Sequence, residues 1–133
     1  NTQAALFETV PTTDYFHFFE NEKKVGSQIQ PKKVIDFLNF TKNDVAAATD
    51  KPASSVRYDE KMPDELKGRI TEWAIAINLV GSFFNDHHKT MMWFQVSNPL
   101  LGNMTPRDMI RIGRFKRLMR FIQTALDENK KAE

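Results

Sequence analysis

The run Ser97-Asn98-Pro99-Leu100-Leu101-Gly102-Asn103-Met104-Thr105-Pro106 leaves the backbone few paths. Pro99 biases Asn98 away from the right-handed helical region, so the helix carrying Trp93 has to stop near Ser97. Gly102-Asn103 accepts positive φ at little cost and lets the chain reverse. Thr105 then offers a hydroxyl N-cap, Pro106 fits the first helical position, and Asp108 meets the positive end of the new helix dipole. Two helices are joined here at a fixed angle.

With that corner set, periodicity resolves the remainder into helices, and the fold class reads as all-α. Val34, Phe37 and Leu38 repeat at helical spacing behind Pro31. Thr41 with Asp44 caps a short helix over small residues, and Asp50-Lys51 turns the chain. Pro63 with Asp64 and Glu65 opens a long central helix whose stripe runs Leu66, Ile70, Trp73, Ile77, Val80 or Gly81, and Phe84. After Gly113 the last helix carries Phe115, Leu118, Met119, Ile122 and Leu126 on one face, with Arg114, Lys116, Arg117 and Arg120 largely off it. The charged end, Asp127 to Glu133, is expected to fray in the free protein. The organisation is an arm over 1–30, a helix-turn-helix-like unit over 31–62, and a central helix with a C-terminal helical unit over 63–133.

The arm holds Tyr15-Phe16-His17-Phe18-Phe19, four of the fifteen aromatic residues, too much apolar surface for a solvated tail. It reads as a segment packed on the body, with a homodimer or partner contact as the alternative. Gly26 to Gln30 reads as a linker.

Ala46 stands ten residues before Val56 with a turn between them, the spacing of a helix-turn-helix. On that reading Ser54, Ser55, Arg57 and Tyr58 face outward from a recognition helix, with Lys42, Asn43 and Lys51 near the phosphate backbone. Arg57 is placed to reach a guanine edge. Asp50-Lys51 replaces the usual glycine and apolar residue, and an acidic group there repels phosphate. A purely structural helical hairpin is the competing reading.

Net charge is only +2, but residues 91 to 133 carry eight cations against four anions while residues 59 to 90 carry four against six. This local excess permits nucleic-acid contact without requiring it. There is no cysteine, so disulfides, thiolate metal sites and a cysteine nucleophile are excluded. His87 and His88 are adjacent and project about 100° apart on a helix, a poor pair for one metal. No Gly-rich phosphate loop or nucleophile elbow is present, so nothing points to an enzyme or a cofactor. No stretch approaches the roughly 18 apolar residues of a membrane helix. No leader resembles a signal peptide, and the expected location is the cytoplasm.

Trp93, Asn98, Pro99, Leu101, Gly102, Thr105 and Pro106, in this order and context, resemble the C-terminal toxin-binding domain of the Xre/MbcA/ParS antitoxin family. The family usually has a second glycine where this chain has Asn103. The resemblance implies an antitoxin of a type II toxin-antitoxin pair that covers or plugs a cognate toxin, often a RES-domain enzyme that consumes NAD. It also implies repression of its own operon through operator DNA, and a homodimer or a hetero-oligomer with the toxin. In that picture the seven motif residues build the domain. Amphipathicity makes Arg111, Arg114, Arg117 and Arg120, with the C-terminal tail, the contact candidates. Two rival readings are a stand-alone helix-turn-helix transcriptional regulator and an adaptor or immunity-type binding protein that does not bind DNA.

Overall fold

The computed structural model describes residues 13–20 and 28–132, without the side chains of 130–132. Part of the expected arm, Gly26 and Ser27 of the expected linker, and Glu133 lie outside the described residues. Six α-helices make up the described fold: α1 (Pro31–Leu38), α2 (Lys42–Thr49), α3 (Asp64–Phe84), α4 (His87–Gln95), α5 (Pro106–Arg111) and α6 (Phe115–Ala132). Among the described residues extended pairing is limited to two isolated antiparallel bridges, Phe19 with Ile29 and Asn98 with Met104.

Local chemistry sets most of the boundaries. α1 starts on Pro31 and ends where Asn39 turns left-handed at φ 55°. α2 begins with a complete capping box: the Asp44 amide donates to the Thr41 hydroxyl at 3.1 Å, and the Thr41 amide donates to the Asp44 carboxylate at 2.9 Å. Asp50 closes α2 at φ 55°, a conformation that glycine takes more cheaply. α6 extends to Ala132, through most of the charged end. No glycine or proline stands between Leu126 and Lys131, so nothing local stops it.

α3 is the axis of the molecule. The sequence suggests a stripe, yet every residue from Trp73 to Gly81 is buried, so the middle of this helix is covered on all sides. α1, α4 and α6 pack on it, and one apolar core runs from Phe18 through Val45 and Trp73 to Ile122. The aromatic cluster of the arm belongs to that core, with Phe18 and Phe19 fully buried. Phe16 stacks on Phe18, meets Phe37 edge-on and lies 4.5 Å from the His87 ring.

Gly81 makes this seat available. A Cβ at this position would stand 2.7 Å from the Phe16 ring and 3.2 Å from Tyr15. Gly68, on the same helix, has nothing within 4 Å of its would-be Cβ. The two glycines therefore predict opposite outcomes. Gly68→Ala should stabilise by about 0.5 to 1 kcal/mol, because alanine is the better helix former. Gly81→Ala should lose that gain and cost about 1 kcal/mol net through overpacking. Urea unfolding of the two variants checks the sign, and a stabilised Gly81→Ala would show that the arm does not need this seat.

Candidate partner-binding surface

The corner that opens the sequence argument folds as a compact knot. Asn98 is its centre: the side-chain oxygen accepts from the Leu100 amide at 2.9 Å, and the carbonyl accepts from the amides of Leu101 and Asn103. The Asn98 amide donates to the Met104 carbonyl at 3.0 Å. Pro99–Leu101 forms one 3₁₀ turn, and Gly102 and Asn103 both take positive φ, 69° and 66°. Thr105 caps α5 by accepting from the Asp108 amide at 2.9 Å, with Pro106 buried behind it. α4 stops at Gln95, two residues before Ser97.

The knot points two consecutive leucines in opposite directions. Leu101 enters the core, while Leu100 is 77% exposed. Leu100 forms one wall of an apolar groove of about 260 Å³, whose other main walls are Val80, Phe83, Phe84, Trp93, Phe121 and Leu126. Trp93 stacks over Phe121, with centroids 6.5 Å apart and planes 20° apart, so the groove floor is aromatic. Phe83, 48% exposed, sits at the end of α3, and Met92 on α4 and Val96 just after it are further exposed hydrophobics. Single exposed hydrophobics are ordinary, but a contiguous set around a groove marks an interaction site.

None of the four arginine contact candidates lines this groove. Arg114 and Arg117 precede Phe121 by about two turns and one turn, on the α6 stripe that reaches the groove. Both are exposed, and among the described residues neither takes part in an ion pair. Arg120 is exposed about a quarter turn further round, away from that edge. Arg111 is held by Asp108 at 3.2 Å. The sequence reading passed over Phe83, Leu100 and Phe121. Adjacency alone would not have found them, since Phe18-Phe19, Met109-Ile110 and Leu118-Met119 are adjacent apolar pairs with both members buried.

The N-terminal unit departs from the recognition-helix expectation. Ala46 and Val56 are buried as that spacing requires, but Ser54 and Ser55 lie in a single 3₁₀ turn, Ala53–Ser55, and Val56 is extended. Pro52 and Pro63 bracket the segment, and Asp59 accepts from both Arg57 and the Lys61 amide, which favours a turn over a helix. Ser54, Ser55, Arg57 and Tyr58 thus do not share a helical face. Arg57 is ion-paired with Asp59, and Lys51 with Glu65 at 3.2 Å. Tyr58 packs against the core, and burial raises its phenol above the ordinary value. Lys42 and Asn43 remain exposed at the start of α2.

No family model matches the sequence, and no curated protein matches it. A solved structure does. The chain is similar to one in the crystal structure of the M. tuberculosis MbcT-MbcA toxin-antitoxin complex. The TM-score is 0.47 at 21% identity, over 70% of this chain and 86% of that one. No helix among the described residues is long and apolar enough to cross a membrane.

Proposed function

We propose that this chain is a non-enzymatic antitoxin that neutralises a cognate toxin by covering it with the C-terminal helical surface. The observation that carries the reading is the open groove beside the Asn98 knot. Three of the motif residues that suggest the antitoxin family set its shape directly: Trp93 gives the floor, and Asn98 with Gly102 fixes the turn that sends Leu100, itself outside the motif, outward as a wall. A surface built this way binds by shape and apolar burial. The toxin class implied by the sequence resemblance is a RES-domain, NAD-consuming enzyme, and the compartment is the cytoplasm. The functional unit is a homodimer or a hetero-oligomer with the toxin, with residues 63–133 supplying the contact.

Co-expression with the protein encoded next to it tests this directly. The expected result is rescue of growth and a complex that survives pull-down. A neighbour that is harmless alone, or a toxic one that this chain neither binds nor silences, would sink the antitoxin reading.

Operon repression through residues 31–62 is the finer part of the proposal, and Arg57 weighs on it. With its guanidinium on Asp59 and no recognition helix beneath it, the observations favour a binding protein that does not read DNA through Ser54, Ser55, Arg57 and Tyr58. A gel shift on its own promoter at low salt, where phosphate contacts are strongest, separates the two. A sequence-specific shift abolished by Arg57→Ala would restore the repressor reading.

A further inference from the structure

We infer, building on the antitoxin reading, that the groove between α3, α4 and α6 seats an amphipathic helix of the partner protein whose carboxylates face Arg114 and Arg117. The floor is apolar and aromatic, which suits the i, i+3, i+4, i+7 face of a helix. From Phe121 to Asn129, α6 lines the groove over about 12 Å, a little over two helical turns, and Arg117 and Arg114 stand about one and two turns before Phe121. Met92, next to Trp93 in the chain and exposed, adds a flexible side chain that adapts to an incoming surface.

Charge identifies the occupant. Arg114, just before α6, and Lys116, Arg117 and Arg120 within it precede its first carboxylate at Asp127. Those on the groove stripe are unpaired among the described residues, so an acidic helix meets them without displacing an internal partner. A nucleic acid would use the arginines and leave Trp93, Leu100 and Phe121 without a role. A second copy of the chain would bring a second cationic α6 to the same edge.

The test uses the full 133-residue chain and two tryptophan-free helical peptides of about 18 residues, long enough to span the groove. Both have leucine and phenylalanine along one face; one carries glutamate elsewhere and the other lysine. Trp93 reports occupancy by fluorescence, since the other tryptophan, Trp73, is buried in the core. The glutamate peptide should shift the emission to the blue and bind at least about 10-fold tighter than the lysine peptide, close to 1.4 kcal/mol. Leu100→Glu should weaken it by about 10-fold or more, with the melting temperature unchanged because Leu100 lies outside the core. Arg117→Glu should narrow or reverse the charge preference.

Equal affinity for the two peptides, no binding of either, or an unaltered Leu100→Glu overturns the inference. So does self-association that Leu100→Glu dissolves, since the occupant would then be a second copy. The two readings fail separately. If Leu100→Glu and Arg117→Glu still neutralise the toxin, the groove assignment falls and the antitoxin role stands. If the wild-type chain silences no toxin yet discriminates between the peptides, the reverse holds.

Discussion

Asn78→Leu is expected to lower stability by about 3 kcal/mol, although leucine fits an apolar helix face and has the same branching and number of side-chain heavy atoms as asparagine. Asn78 is fully buried on α3, and its two polar atoms are both committed. The side-chain nitrogen donates to the Asp14 carboxylate at 3.1 Å, and the side-chain oxygen accepts from the Phe16 amide at 3.1 Å. Asp14 is itself 5% exposed and takes the Phe18 and Phe19 amides at 2.9 and 3.0 Å. Leucine removes one donor from a buried carboxylate and orphans a backbone amide, and both losses fall in the core. Ser82 lies one turn further along α3 and is exposed, bonding only to the Asn78 carbonyl within its own helix. Ser82→Ala should therefore stay within about 0.5 kcal/mol of wild type. Urea unfolding of both variants gives the contrast, and a cost below about 1 kcal/mol for Asn78→Leu would show that the arm is held by its aromatic rings alone. The arm and the groove occupy different sides of the last turns of α3. A destabilised arm should thus leave peptide binding at the groove unchanged under folding conditions.

What the sequence disclosed depended on how far apart the interacting residues stand. The corner from Asn98 to Pro106 was legible because each determinant, proline, glycine, hydroxyl cap, acts within a few residues of itself. The Thr41-Asp44 capping box was legible for the same reason. The segment after Pro52 misled because burial of Ala46 and Val56 is compatible with either a helix or a turn between them. The deciding interaction, Asp59 with Arg57 and Lys61, is a turn signal within five residues that the helix-turn-helix spacing obscured. α3 was misjudged in width: Ala74, Ala76 and Leu79 fall off the three-and-four stripe, and only packing from α1, α4, α6 and the arm together explains why they are buried. The Asp14-Asn78 bond spans 64 positions. No local pattern predicts a pairing at that distance.

The second large effect is expected at Arg107, which follows the Thr105-Pro106 cap on α5. Its Nε donates to the Leu38 carbonyl at 2.6 Å and one terminal nitrogen donates to the Asn39 carbonyl at 2.8 Å, the orphan acceptors at the end of α1. The same group lies 3.4 Å from Asp44 and 5.0 Å over the Phe40 ring. One side chain thereby joins the corner of the C-terminal unit to the end of α1 and the cap of α2. Arg107→Ala should cost about 2 to 3 kcal/mol, from charge-assisted hydrogen bonds lost and two carbonyls left unpaired. Arg107→Lys keeps the charge but not the planar fork, so it should recover less than half. The pH dependence carries a second signature. The Thr41 amide first, then the Thr41 hydroxyl and Arg107, hold the Asp44 carboxyl below its ordinary value against the opposing effect of burial. A carboxylate depressed in the folded state contributes stability above its unfolded pKa, and that contribution is lost as the pH falls through the folded value. Removing Arg107 raises the folded value toward the unfolded one, so the alanine variant should lose less stability on acidification than wild type does. Hydrogen exchange locates the effect: amides of α1 and α2 should open faster in Arg107→Ala while those of α3 keep their protection. Uniform acceleration across all the helices would instead mean that the two units unfold together and that Arg107 is one core contact among many.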